Sequence, residues 1–475
     1  MSFSALLLLH YRGWPYPVSS STISQPLVSA EKYAHVEKQP SSRGFGFLNT
    51  TQFLNAFNDN LLKQMLMWGT AAGGIWASQI APGGQAYASL CLAIPFILLS
   101  GFAGQFSDRY SKRAVIIVVK FMEVLIGIMA LVGFLVGNLW VLITALVLIS
   151  IQSTFFSPAK YGILPEIIEE KLLSRANGTL SMFTYVACIL GIGAAGPLYD
   201  LYAPDGIAPP SGILWIPGAA IVLVGILGMI ATRGLPRVPV QNPEMKIRPI
   251  FFKAYRETWR DIRGTPLGTV VLAWSYFYMI VAGLAILIPA DFADLLGITR
   301  SKATPLLLCL AVSLGIGDYT AGRLSGHRIR PGMIPVGAIG TTVMLFALGA
   351  IPLNYYLIAS CLSLAGFLAG FIMVPLQTMT QQLASQDQRG GVLGLWNCGS
   401  FVGIVIGNVI FLVVKSKHIN MASNHVFYIC GVLGLLLVVL LYTGWQKQFE
   451  EAVAEPASSD REEQGSGAGR TTGDK

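Results

Sequence analysis

Charge is scarce in this chain. Lys, Arg, Asp and Glu make up 12% of 475 residues, about half the share of a soluble domain. A water-facing surface cannot be assembled from so few charges over that length, which excludes a soluble globular fold. Apolar residues fill the place of the missing charge: 53% are hydrophobic and the mean hydropathy is +0.61. In a soluble protein a net charge of +8 would suggest a nucleic-acid partner. Here topology accounts for it, and no nucleic acid is expected.

Other absences narrow the chemistry. The six cysteines (Cys91, Cys188, Cys309, Cys361, Cys398 and Cys430) all fall in apolar stretches and none forms a CxxC pair. Neither a disulfide framework nor a zinc site is indicated, and they read as small buried hydrophobes. No Gly-x-x-x-x-Gly-Lys-Ser/Thr loop is present, so ATP-driven work within this chain is not expected. None of the five histidines is followed five residues on by Asp, which removes the His-x-x-x-x-Asp centre of membrane acyltransferases. No cofactor, metal or catalytic residue is expected. The run Ala5–Leu9 is too short for a secretory leader and lacks a basic flank.

What is present is a series of apolar stretches about twenty residues long, enough to cross roughly 30 Å of hydrocarbon. They fall near 46–76, 85–107, 113–136, 138–159, 176–200, 211–232, 267–291, 303–323, 332–352, 355–380, 391–414 and 424–445. The fold class is therefore an all-α polytopic membrane protein of twelve transmembrane helices. The 51 glycines suit it, because small residues let membrane helices approach closely. Pro158 and Pro165 should bracket the turn after the fourth span. Residues 1–43 and 447–475 read as disordered extensions, and the next Met after Met1 is Met65.

Basic residues orient the bundle. Eighteen Lys and Arg fall in the loops on one side, against Arg300, Lys302, Lys415 and Lys417 on the other. The positive-inside rule puts the basic face, with both termini, in the cytoplasm. Eight of the eighteen lie in a central loop at 234–265 or on its border, which divides a six-helix bundle at 44–233 from a second at 266–446. Within that loop Pro249–Arg263 alternates aromatic and basic residues at helical spacing, as an interfacial amphipathic helix would; a solvated linker is the alternative.

Between the second and third spans the sequence reads Gly104-Gln-Phe-Ser-Asp108-Arg109-Tyr-Ser-Lys112-Arg113. This resembles the G-x-x-x-D-R-x-x-[RK]-[RK] loop of the major facilitator superfamily. The resemblance implies a gating latch. Gly104 would allow close packing, Asp108 would meet a helix N-terminus or a basic partner, and Arg109, Lys112 and Arg113 would stay at the lipid surface. A degraded copy, Gly322-Arg-Leu-Ser-Gly326-His327-Arg328, sits at the matching point of the second half without the Asp. Two pseudo-symmetric six-helix bundles, with cargo handled between them, fit the parallel repeat of this fold.

Ionisable groups inside the membrane are costly and mark function. In the first span Gln52, Asn55, Asp59 and Lys63 are spaced by three, four and four, so they share one helix face. Asp59 lies about 20 Å along that helix. Four polar groups on one stripe exceed what helix–helix adhesion needs, which favours a cavity lining. Ser157-Pro158-Ala159-Lys160-Tyr161-Gly162 closes the fourth span, where Pro158 could break the helix. Lys160 stands near the basic mouth, as a cargo-binding group or as an ordinary anchor. Lys120 and Glu123 read as a structural pair. Gln377 and Gln381 share a face of the tenth span, and Asn397 lies in the eleventh with Ser400 and Asn408. Gln377, Gln381 and Asn397, with Gln52, Asn55, Asp59, Lys63 and Lys160, form the expected substrate-binding set. Asp318 should be internal to the bundle. Asp291 and Asp294 could be surface groups or an outer gate.

Four stretches carry a narrower resemblance: QFLNAFNDN, SPAKYGILPE, Arg175-Ala176-Asn177-Gly178 and VPLQ. They look like the bacterial lysophospholipid transporter branch, which also occurs fused ahead of acyltransferase and acyl-carrier-protein synthetase domains. The resemblance implies movement of lysophospholipid across the inner membrane for reacylation on the cytoplasmic side, with membrane lipids and a cytoplasmic acyltransferase/acyl-ACP synthetase as partners. It also implies substrate-binding roles for Asp59 and Lys160, on a zwitterionic headgroup. Two positions depart from the branch: Ser181 stands where Glu is common, and the Gly283–Leu287 region lacks an Arg found in some members. The rival reading is a proton-coupled transporter of a small amphipathic solute, with Asp59 carrying the proton.

Overall fold

A computed structural model describes residues 42–454 apart from 71–73, 80–83, 205–209, 248–250, 286–295, 297–299, 327, 417 and 420. The expectations for residues 1–41, Asp291, Asp294, His327 and 455–475 lie outside the described residues. Those residues contain thirteen α-helices and no strand. The first half holds α1 (Ser42–Thr70), α2 (Gly84–Arg109), α3 (Lys112–Val136), α4 (Leu139–Ile167), α5 (Leu173–Tyr202) and α6 (Ile216–Ala231). Then comes α7 (Phe251–Ile262), followed by α8 (Pro266–Tyr278), which widens into a π turn at Met279–Leu284. The second half continues with α9 (Arg300–Leu324), α10 (Met333–Ala350), α11 (Tyr355–Leu383), α12 (Arg389–Val414) and α13 (Ser423–Leu440). Twelve long helices thus stand where twelve spans are expected, with α7 as the extra element.

Nine of the twelve are long and apolar enough to cross a membrane by the strictest reading of the described residues. Of the other three, α1 carries a stripe of amide and charged side chains, while α2 and α9 hold apolar stretches of similar length. Large apolar residues point outward, among them Val136, Leu223, Val343 and Leu412, as they do where lipid is the solvent. The caps follow the local chemistry. Asn138 and Asn354 open α4 and α11 by accepting from the second and third amides of each helix, and Gly137 closes α3 in the left-handed conformation at φ 69°.

Two placements differ from expectation. Helix α4 runs unbroken through Pro158 and Pro165 to Ile167, so the turn comes after both prolines. Each proline removes one backbone bond, but a membrane helix keeps its course when other groups take up the freed carbonyl. The carbonyl of Tyr161, four residues before Pro165, accepts from Gln381 Nε2 of the other half at 3.2 Å. Second, the chain beyond α13 does not become irregular at 447. After a π turn at Leu441–Trp445 it stays helical to 454. Phe449 is fully buried and Val453 packs beside it; this apolar pair, four apart, holds the last turns against α8, where Thr269 Oγ1 donates to Gln448 Oε1. The segment expected to form an amphipathic helix is α7, and it is not a solvated linker. Its Tyr255 hydroxyl donates to the Ile97 carbonyl at 2.8 Å and accepts from the Gly101 amide at 2.9 Å, while Phe252, Lys253 and Arg256 remain exposed.

The first half has an unusual core. Lys120 and Glu123 are both fully buried and paired. Lys120 Nζ also donates to Asn55 Oδ1 at 2.7 Å. Glu123 accepts from Asn58 at 3.0 Å and from Gln152 at 3.3 Å. Removing one member of such a pair strands a charge in a dry interior, at about 3–5 kcal/mol. We expect Lys120→Met to lose that much stability in detergent thermal unfolding. Lys120→Met/Glu123→Leu should regain most of the loss, and two additive losses would contradict the pairing.

Candidate functional site

The polar stripe of α1 faces α3, α4 and α5. Gln52 and Asn55 are buried, while Asp59 and Lys63 are partly so. Asp59 Oδ2 accepts from Ser153 Oγ at 2.7 Å and from Asn55 Nδ2 at 2.8 Å. Its Oδ1 is buried with no partner. Lys160, one of the buried residues of α4, donates to Gln52 Oε1 at 2.9 Å and lies over the Tyr161 ring at 4.2 Å. No carboxylate pairs with it among the described residues. Gln52 bonds onward to Thr184 of α5 at 3.0 Å. Lys63 stands one turn beyond Asp59 and makes no hydrogen bond or ion pair among the described residues. Gln52 and Asp59 are seven residues apart, about 10 Å along the helix. The half-bundle therefore holds an acid with a free oxygen and a base with no counter-ion, both reached from one stripe.

On the outer flank of the same half, α2, α3 and α4 enclose a cavity of about 640 Å³, within the usual range for ligand pockets. Phe102, Phe106, Met122, Met129 and Phe155 are among its walls, and Leu125 and Leu148 at its rim are exposed. Gln152 is the one amide in the lining, and it also bonds Asn55 and Glu123. The apolar cavity and the polar stripe thus meet at a single side chain.

The two halves meet along two helix pairs, α2 with α12 and α5 with α9. At the basic end of the first pair Asp108, fully buried, accepts from the Gly390 amide at 2.6 Å and the Gly391 amide at 2.9 Å. These are unsatisfied amides of the first turn of α12, where an acidic group is also favoured by the helix dipole. Gly104 comes so close that a Cβ there would lie 2.3 Å from the Gly390 carbonyl. The second pair repeats the packing without the charge: a Cβ on Gly322 would lie 2.7 Å from the Ser174 carbonyl. Gly326 stands where a second aspartate would complete the symmetry.

The basic residues of the latch loop do not all stay at the lipid surface. Lys112 is 1% exposed and pairs with Glu166 at 2.6 Å, because Gly162 leaves room for its stem beside α4. Arg109 donates to the Met245 carbonyl at 2.8 Å. Arg113 is half-buried on α3. Glu166, the partner that fixes Lys112, gives no sign of this role in the sequence beyond following Pro165.

Gln377, Gln381 and Asn397 are buried in the seam between the halves. Asn177 of α5 donates to Gln381 Oε1 at 2.7 Å and to Thr378 Oγ1 at 3.0 Å, and accepts from Gln377 at 3.0 Å. Asn397 donates to Ser100 Oγ at 3.2 Å. Asn177 is thus the hub of the seam, although the sequence marked it only as part of an Ala-Asn-Gly signature. Ser181, where a carboxylate would be usual, faces Asp318 of α9. Tyr161 and Trp396 close the region edge to face at 5.3 Å. The contacts across the seam lie toward the basic face, so that face is closed.

Asp108→Ala should remove two charge-assisted bonds, each worth about 1.5–3 kcal/mol, and shift the population toward an open basic face. A cysteine at Gly391 in a cysteine-free background should then gain thiol reactivity several-fold, and unchanged reactivity would count against the latch.

The Major Facilitator Superfamily model matches residues 48–408. The lysophospholipid transporter LplT of Yersinia enterocolitica is 29% identical over 80% of this chain and 89% of its own length. The LplT of Cronobacter sakazakii is 30% identical over 77% of this chain and 87% of its own. Among solved structures, the human organic anion transporter MFSD10 superposes with a TM-score of 0.69 at 13% identity, covering 85% of this chain and 99% of that one. FucP in its outward conformation gives 0.66 at 14%, covering 83% and 98%. These two likenesses speak to the fold alone. With twelve bundle-length helices, paired six-helix halves and a latch loop at Gly104–Arg113, the chain belongs to the Major Facilitator Superfamily and is a multi-pass membrane protein.

Proposed function

We propose that this protein is a transporter rather than an enzyme, and that it carries lysophospholipid across the inner membrane with both termini in the cytoplasm. The carrying observation is the pair of unmatched charges reached from one polar stripe, Lys160 of α4 and Asp59 of α1, beside an apolar cavity that meets the stripe at Gln152. A lysophospholipid such as lysophosphatidylethanolamine presents matching chemistry: a phosphate for Lys160, an ammonium for the free Asp59 oxygen, and one acyl chain for the apolar groove. Gln52 and Asn55 hold the two charges in register. The relatives named LplT support the cargo class, and the concentration of Lys and Arg on one face supports the orientation. A cytoplasmic acyltransferase or acyl-ACP synthetase is the partner class that would consume the delivered lipid.

Closure of the basic face suits a state that loads from the opposite side. The latch at Asp108 and the Asn177 hub would release as the cargo is delivered. Gln377, Gln381 and Asn397 then serve as gating groups in this state. Their amides would become available to a headgroup only once the seam parts.

In proteoliposomes with labelled lysophosphatidylethanolamine, Asp59→Ala and Lys160→Ala should each lower flux tenfold or more. Normal flux in both variants would refute the headgroup assignment. Leu148→Trp, which narrows the groove, should slow long-chain cargo more than short-chain cargo.

A further inference from the structure

One carboxyl group is left unexplained by this reading. Asp318 of α9 is fully buried, and the one hydroxyl that reaches it, Ser181 of α5, lies outside good hydrogen-bond geometry. It sits at the junction of three closely packed helices. A Cβ on Gly178 of α5 would lie 2.3 Å from the Asp318 carbonyl, and one on Gly370 of α11 would lie 2.4 Å from its amide and 2.9 Å from Oδ1. The groups facing it are Ser181 and Tyr185 of α5, Tyr161 of α4 and Tyr278 of α8; α11 presents glycine at the contact. No cation pairs with it among the described residues. Arg323 on its own helix is exposed and turned onto the Tyr319 ring and hydroxyl. Arg175 at the start of α5 is also exposed.

An ionised carboxylate placed there would have lost its water and gained no counter-ion, with only the Ser181 hydroxyl close to it, which costs several kcal/mol. The neutral acid avoids the cost of the buried charge. We propose that Asp318 is a proton-binding site and that it must be protonated for the basic face to close. Closing α5 onto α9 strips water from the carboxylate, which takes one proton from the water at that face and forms the O–H bond. Opening rehydrates the group and returns the proton to the same water. The seam is thereby linked to pH through one residue of the second half, separate from Asp59 and Lys160. The link holds whatever the cargo is.

The test needs no substrate. Hydrogen–deuterium exchange of the full chain in nanodiscs, corrected for the intrinsic pH dependence of amide exchange, would follow peptides covering 173–181 and 317–326 from pH 5 to 9. A single linked proton changes an opening equilibrium by up to about tenfold per pH unit. Wild-type exchange in both peptides should therefore rise toward that slope as pH increases. Asp318→Asn, close in shape to the neutral acid, should be protected at all pH values with no slope, and Asp318→Leu should behave likewise. Asp59→Asn should keep the wild-type slope. A flat wild-type profile, an unchanged slope in both Asp318 variants, or loss of the slope in Asp59→Asn would each overturn the proposal.

Discussion

Two bundles with no covalent tie beyond one loop are held in register at their basic end by a carboxylate on a helix start. Asp108 takes up the Gly390 and Gly391 amides, and the bond forms only because Gly104 lets α2 lie against the α12 backbone. A side chain at Gly104 would hold the helices apart and leave those amides out of reach. Much of the seam follows from that approach: the Asn397–Ser100 bond one turn beyond Gly394, the stacked Phe96 and Phe401 rings at 4.2 Å, and the seat of Tyr255 on α2. The α5–α9 pair keeps the glycine packing without the carboxylate, so the two sides of the seam are alike in shape and unlike in charge.

The halves also divide the chemistry. Paired and unpaired charges gather in the first half, on α1, α3 and α4, with Lys120, Glu123, Asp59 and Lys160 inside one bundle. The second half contributes mainly amides and hydroxyls, together with Asp318. Hydrocarbon permits few other arrangements, because a buried charge needs partners arranged beforehand. Amide hydrogen bonds, being neutral, can be broken and remade as the halves move.

Much of this was legible in the sequence. Span lengths, the bias of Lys and Arg, the stripe at Gln52, Asn55 and Asp59, and the latch loop all depend on spacing along one chain. What was not legible depends on what faces a residue across the bundle. Lys112 looked like a lipid-facing anchor until Glu166 supplied a partner beside Gly162. Asn177 looked like a signature residue until α11 brought three side chains to it. Pro158 and Pro165 read as helix breakers because their cost is local, whereas the group relieving Pro165, Gln381, lies more than two hundred positions away. The helical turns at 446–454 were hidden by a charged tail in which Phe449, Ala452 and Val453 turn inward.

That relief at Pro165 has a consequence for how the closed face can part. The Tyr161 carbonyl is capped by a side chain from the opposite half, and the Asn177 cluster and the Asn397–Ser100 bond are likewise made of neutral dipoles facing one another across a cleft. Each of these partners can be replaced by a water molecule with little change in enthalpy. Separating the halves is therefore an exchange of solvent for protein, bond by bond. Away from the Asp108 latch, sealing at this face rests on shape more than on adhesion, as it should in a passage that must reopen on every cycle.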